Sequence, residues 1–388
     1  MRRMSKALKN LDIEPIILTQ ITESNQEKEE IIDDIKVLRF DCGDLVDRIK
    51  KFNDASEEEK QELSEKLFKP SDIENSAVKL SKELHLFIKE SKPRAIHVHN
   101  SYFIVPYALY FLKQNHDTFP TTSFYFWSHS PASKLNLPSG EESNLYGVLT
   151  SFQNLFQRVF AISKSVQNDM TKMGIKSTVN YIGIDIDLFK KRSTLNTNFR
   201  EKFNIDENAF LLLYSGRIIQ EKGLAVLPEI YNEMITRDKS FLRMHVLIVG
   251  EGRYKNELVD LISKKKLENR FHFTSVNTDD ELVDLYSSAD CFILPSKREA
   301  LGLSLIEAMS CSLPCIASDL SGIKELINHL QNGLIVPPEN KQELIRWISG
   351  LYSNKNLRIT LGSEARKTVE EYFNFRTHLD FFIKRLLK

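Results

Sequence analysis

The chain has 388 residues, 41% hydrophobic and 27% charged, a globular composition that excludes wholesale disorder and fibrous repeats and a length that suits two domains better than one core. Its 53 basic residues balance 53 acidic ones, and neither half departs far from neutrality, so no nucleic-acid-binding domain is expected. The four cysteines, Cys42, Cys291, Cys311 and Cys315, form no CxxC pair; they read as buried thiols of a reducing, cytoplasmic compartment rather than as disulfides or metal ligands.

Taken in chain order, the basic start Met1 to Lys6 has no apolar stretch behind it and does not read as a secretory signal. The first 190 residues alternate short β-rich runs with amphipathic stretches. Strands are expected at Pro15–Leu18, Ile35–Leu38, Ala95–Val98, Thr122–Phe126, Val159–Ile162 and Val179–Ile182. The charged stretch Asp44–Lys69 reads as helical. From Ile73, apolar residues recur at 77, 80, 84, 87 and 88, with Ser71 and Glu74 as a capping box. The longest apolar run, Phe103–Leu112, is too short for a membrane span and carries Pro106. Peripheral association with the inner face of a membrane is compatible with both facts. The polar run Lys190–Asn198 reads as a linker. Beyond it a second βα series places strands at Phe210–Tyr214, His245–Val249, Phe271–Thr274, Cys291–Leu294, Cys315–Ala317 and Leu334–Val336, and the last 50 residues as helix. This is α/β architecture: two facing, Rossmann-like, doubly wound domains, with ligands expected at the carboxyl ends of the strands.

Glycines sharpen that expectation. There are 14, none before Gly43, and Gly216, Gly250, Gly252 and Gly302 each lie just beyond a predicted second-half strand, where backbone can approach a ligand closely. After Cys291–Leu294 comes Glu299-Ala300-Leu301-Gly302-Leu303-Ser304-Leu305-Ile306-Glu307. A helix starting near Leu303 offers free N–H groups and a positive dipole end to a phosphate. Glu307, one turn in, points back toward that end. Two carboxylates flanking a phosphate pocket suit a ligand rich in hydroxyls at both ends, such as a sugar joined through diphosphate to a ribose. Surface glutamates favoured by the helix dipole are the bland alternative.

The run Tyr214–Pro338 resembles the donor domain of the retaining glycosyltransferases of family 4, which have the GT-B fold. The Glu-x7-Glu spacing of Glu299 and Glu307 is that family's signature. Gly216-Arg217, Glu221-Lys222-Gly223, Val249-Gly250-Glu251-Gly252, Leu285-Tyr286, Ala289-Asp290, Leu294-Pro295-Ser296, Leu313-Pro314 and Asn332-Gly333-Leu334 match around it in order. The resemblance implies that Gly216, Arg217 and Lys222 serve the donor diphosphate. It gives Glu307 the ribose diol, Glu299 the hydroxyls of the transferred sugar, and the amides of Leu301, Gly302 and Leu303 the sugar and distal phosphate. Val276 would line the base pocket. Two fixed cations suit a growing negative charge on a leaving nucleotide, and Lys222, read as starting a helix, would oppose the dipole for a functional reason. The family has glycine where this chain has Ser275 and Ser312.

In the first half, His129 of Trp127-Ser128-His129-Ser130-Pro131 matches the family's cleft histidine, with an implied polar contact to the transferred sugar. His97 and His99 share a strand face without a third ligand at diagnostic spacing, so a buried hydrogen-bonded pair is expected before a metal. Phe160–Ser165 and Ile182–Phe189 also resemble family segments. Arg3–Asn10 reads as the end of the family's first helix, so the first domain would lack its first strand and glycine-rich loop. The implied domains are an N-terminal acceptor-side domain at 1–190, a nucleotide-sugar domain at 191–365, and a terminal helix at 366–388 returning toward the first.

His129, Glu299, Arg217 and Lys222 are thus the candidate catalytic residues of a metal-independent hexosyltransferase without a cofactor. It would move a hexose from a nucleotide-diphosphate sugar to a saccharide or lipid-linked acceptor in surface glycan synthesis, with retention. The missing first-domain parts would suit a non-catalytic partner subunit instead. A nucleotide-sugar epimerase of the same fold is the third reading, and the Glu-x7-Glu spacing disfavours it.

Overall fold

Long apolar runs with no polar alternation demand burial on both faces, and the second half of the chain supplies them. A computed structural model describes residues 12–20, 27–40, 70–99, 122–129, 156–172 and 174–386, with scattered positions at 5, 8, 9, 51, 135, 136, 142 and 143. Cys42, the charged stretch 44–69 apart from Lys51, the apolar run 103–112 and the side chains of Ser71 and Glu74 lie outside the described residues. The chain divides into two compact units, 1–161 with 166–179, and 162–165 with 180–388.

The first unit opens with β1 (Ile16–Gln20), β2 (Glu29–Ile32) and β3 (Ile35–Phe40). β1 pairs parallel with β3, and β2 folds back antiparallel on it. Strand β3 covers the expected Ile35–Leu38, whereas the acidic β2 and the hairpin it forms with β3 are not expected from the sequence. The hairpin's two-residue turn places Asp33 and Asp34 at φ 50° and 61°, the left-handed conformation that favours aspartate over branched residues. Helix α1 (Pro70–Ser91) leads to a second sheet of β4 (Ala95–His99), β5 (Ser123–Ser128), β8 (Arg158–Ala161) and β9 (Thr178–Val179), all parallel, with helix α2 (Lys164–Lys172) between the last two. The two-residue strands β6 (Leu135–Asn136) and β7 (Glu142–Ser143) pair with each other. Among the described residues, β1 and β4 each have a strand partner on one side only.

The second unit begins with the short α3 (Phe199–Lys202) and holds β10 (Phe210–Ser215), α4 (Val226–Arg237), β11 (Met244–Val249), α5 (Lys255–Lys264), β12 (Phe271–Thr274), α6 (Asp279–Ser288), β13 (Cys291–Leu294), α7 (Leu303–Ser310), β14 (Cys315–Ser318) and β15 (Leu334–Val336). The six strands are parallel in the order β12-β11-β10-β13-β14-β15. Every residue of β10, β11, β13 and β14 is buried, as a parallel sheet covered on both faces requires. Helix starts follow local chemistry. Thr278 and Glu281 form a capping box on α6, and Asn340 and Asn354 cap α8 (Lys341–Ser353) and α9 (Lys355–Tyr372). The last helix, α10 (Phe375–Leu386), belongs to the same unit.

The polar run 190–198 also belongs to the second unit and is tied down. The buried Asp284 carboxylate accepts the N–H groups of Asn196 at 3.1 Å and Thr197 at 2.9 Å, and pairs with Arg192 at 3.0 Å. A single buried acceptor orders a stretch that polarity alone marks as loose.

Candidate functional site

In a sheet wound outward from its middle, the loops after the two central strands diverge and leave a crevice. Here those strands are β10 and β13, and their loops carry most of the candidate residues. They touch closely. A side chain on Gly223, at φ 68°, would bring Cβ within 2.0 Å of the Pro295 carbonyl oxygen, and the Lys297 N–H donates to Glu221 O at 2.8 Å. Gly216 is bonded to the β11 end through Val249 O, and Tyr214 Oη donates to Arg217 O at 2.7 Å, bracing that turn. The Arg217 side chain is exposed.

Lys222 and Glu299 meet where the two loops touch. Nζ lies 2.5 Å from Glu299 Oε2, and both side chains are largely buried, 15% and 14% exposed. The fully buried Ser296 hydroxyl approaches the same carboxylate oxygen at 3.5 Å. The family resemblance assigns these two residues to neighbouring parts of one ligand, a diphosphate and the sugar attached to it. Their contact makes such neighbouring contacts geometrically feasible. One argument for Lys222 is corrected. It does not start a helix; it ends the 3-10 turn Gln220–Lys222, with Gly223 as a left-handed cap. There the helix dipole favours a cation, so opposition to the dipole gives no reason for it.

Helix α7 starts at Leu303, as its sequence suggests, with Gly302 as N-cap at φ 89°. Leu301 and Gly302 are buried and Leu303 is exposed. Glu307 is 6% exposed, and Tyr286 Oη donates to its Oε2 at 3.0 Å. Burial, reinforced by the Glu307 charge, pushes the Tyr286 phenol far up, so it stays a donor at any physiological pH. Val276 lies half-buried two residues beyond β12. The second unit therefore brings Gly216, Arg217, Lys222, Glu299, Leu301, Gly302, Leu303 and Glu307 to the loops of β10 and β13 and the helix that follows, with Val276 on the loop after β12.

In the first unit, His129 follows β5 beside Trp127, ring centroids 6.4 Å apart. Burial lowers its pKa to about 4, so it is neutral near pH 7. His97 stacks on Tyr125 at 5.0 Å and is likewise lowered by burial to about 4. Among the described residues no group of three His, Cys, Asp or Glu is placed to hold a metal ion, and no helix is long and apolar enough to cross a membrane. Cys291, Cys311 and Cys315 are free, buried thiols.

Tyr286 and Ser296 stand among the matched motifs with no role implied for them, and Gly322 stands outside those motifs. A side chain on Gly322 would bring Cβ within 2.3 Å of Ala300 O and 3.0 Å of Glu299 O. The turn that contains it is the wall behind the Glu299 loop. A lone glycine after a strand carries no signal for that. Ser312, where family glycine was expected, has φ 55°, so the substitution preserves the glycine-favouring backbone.

Residues 196–368 match the family model described as glycosyl transferases group 1. The alpha-D-kanosaminyltransferase of Streptomyces kanamyceticus is 28% identical over 181 residues, 46% of each chain. The N-acetyl-alpha-D-glucosaminyl L-malate synthase of Bacillus anthracis is 26% identical over 220 residues, 55% of each. The chain thus spans about half the length of the curated relatives it matches. Sucrose-phosphate synthase from Thermosynechococcus elongatus superposes with a TM-score of 0.79 at 19% identity, covering 100% of this chain and 92% of that one. Anabaena HepE in complex with UDP-glucose superposes at 0.66 and 21% identity, covering 79% and 82%. At these identities the likeness shows the fold, which is GT-B.

Proposed function

We propose, from the match of residues 196–368 to the model described as glycosyl transferases group 1, that the protein is a retaining hexosyltransferase using a nucleotide-diphosphate sugar. The observation that carries this reading is the Lys222–Glu299 pair at the β10/β13 crevice, with Glu307 held by Tyr286 on the adjoining helix. Glu307 takes the ribose diol. Arg217 and Lys222 take the diphosphate, and Glu299 accepts hydrogen bonds from the transferred hexose. On donor binding Lys222 exchanges part of its contact with Glu299 for phosphate oxygens, and the Glu299 carboxylate turns to sugar hydroxyls.

In the reaction the bond from the anomeric carbon to the phosphate oxygen breaks, and one from that carbon to the acceptor oxygen forms on the same face. The acceptor proton passes to the departing phosphate. Arg217 and Lys222 stabilise the charge that grows there, an electrostatic contribution that is usually the largest in such chemistry. Two cations make a metal ion unnecessary for that role. A saccharide or lipid-linked acceptor in surface glycan synthesis, reached from the cytoplasm, fits the reading. HepE, with the same fold, binds UDP-glucose, which supports a nucleotide sugar as the first donor class to try.

The test is a panel of UDP-, GDP- and ADP-hexoses incubated with the protein and simple saccharide acceptors, with and without chelator. Release of one nucleoside diphosphate, unchanged by chelator and with product of retained configuration, is the expected result. No release and no binding of any donor would overturn the reading.

A further inference from the structure

Glu325 lies outside every motif discussed above, yet its carboxylate accepts three hydrogen bonds from distant parts of the chain. Oε2 takes the Lys164 N–H at 2.8 Å and Tyr181 Oη at 2.9 Å, and Oε1 takes the Ser165 N–H at 2.8 Å. Lys164, Ser165 and Tyr181 belong, with Glu325, to the second unit. Hydrogen bonds to an ionised carboxylate are about twice as strong as neutral ones, so three of them make a firm anchor for a half-buried group. Tyr181 is itself fixed, edge-on to Phe373 at 5.2 Å. Its neighbour strip is clamped, since Ile184 N–H donates to Phe373 O and Phe375 N–H to Ile184 O.

Three residues earlier in the same turn, Gly322 rests on the backbone of Glu299 and Ala300, and the buried Ile323 side chain lies against Gly302. One short turn therefore has the Glu299–Gly302 loop on one side and the Glu325 anchor on the other. The Glu307 end of the crevice has separate support, from Tyr286 and the buried face of α7.

We infer that Glu325 is a positioning residue for the sugar half of the donor site: by anchoring the turn 319–327 it fixes the wall that aims Glu299. It touches no reacting atom. The inference rests on the assignment of Glu299 to the sugar and Glu307 to the ribose, and its consequence is a split. Loss of the anchor loosens the grip on the hexose and leaves the grip on the nucleotide intact.

The experiment compares affinities by calorimetry for matched pairs, UDP with UDP-glucose, GDP with GDP-glucose and ADP with ADP-glucose, in the full chain and in Glu325→Gln. Glutamine keeps the size but cannot accept from both N–H groups and the phenol. For the pair that binds, the nucleoside diphosphate is expected to keep its affinity within about twofold, while the added affinity due to glucose falls about tenfold, the scale of losing hydrogen bonds to a charged group. Tyr181→Phe, which removes one of the three bonds, is expected to lower the same ratio by about threefold, and it carries the test if Glu325→Gln does not fold. Equal loss for nucleotide and sugar conjugate, or an unchanged ratio in either folded variant, overturns the inference. If none of the six ligands binds the unaltered protein, the proposed function fails instead.

Discussion

At the scale of single residues, Lys222 and Arg217 differ in a way the sequence does not show. Arg217 is exposed, whereas Lys222 is held by Glu299 at 2.5 Å in a largely buried pair. Removing Arg217 costs the fold little, because exposed side chains outside networks shift stability by about 0.5 kcal/mol or less. Lys222→Ala leaves the Glu299 carboxylate partly buried without its cation, and some destabilisation accompanies it. Both substitutions are expected to lower turnover about a hundredfold or more, the usual cost of losing one electrostatic contact to the leaving group. Steady-state rates alongside thermal melts check this. A collapsed melt with Arg217→Ala would show a structural role, and unchanged turnover in either variant would remove it from the diphosphate site. The Glu-x7-Glu pattern is legible through its family resemblance, since helix geometry alone fits surface glutamates favoured by the dipole as well. Glu325 was not legible, because its partners lie 144 to 161 positions away.

At the scale of elements, the buried strands were the most readable features. Cys291–Leu294, buried throughout, begins and ends where its apolar run does, since a strand covered on both faces has no other way to satisfy its side chains. The β2–β3 hairpin was missed because Glu29, Glu30, Asp33 and Asp34 hide the exposed edge strand behind an acidic composition. Lys190–Asn198 reads as a linker because its anchor, Asp284, lies on α6, far along the sequence. That anchor is testable. Asp284→Ala strands two backbone N–H groups and leaves Arg192 with only its exposed partner Asp280, so unfolding free energy should fall by about 3 kcal/mol. A urea titration giving less than about 1 kcal/mol would mean that the run is held by other contacts.

At the scale of the whole molecule, composition and the alternation of βα units point to two Rossmann-like units, while GT-B itself came from the motif resemblance. The boundary between units was less legible, since tertiary hydrogen bonds decide where polar chain belongs. Stability should depend on pH in a direction set by histidines. Burial lowers His97, His129 and His245 to about 4, the last aided by His272, Arg270 and Arg200. Each binds a proton in the unfolded chain near its ordinary pKa of about 6.5 but resists it when folded. Their contribution is complete above that value and is lost as pH falls toward 4. The melting temperature should therefore hold steady from pH 8 to about 7 and decline from about 6.5 to 4.5, and a flat profile across that window would contradict the buried histidine environments. The central claim, that the crevice between β10 and β13 holds a nucleotide-diphosphate sugar with its ribose on Glu307, is tested most directly by calorimetric titration of the unaltered protein and Glu307→Ala with the donor panel. One donor should bind the unaltered protein and lose about tenfold or more in affinity in the variant, the scale of hydrogen bonds to a charged group. Equal affinity in a folded Glu307→Ala protein would contradict the account.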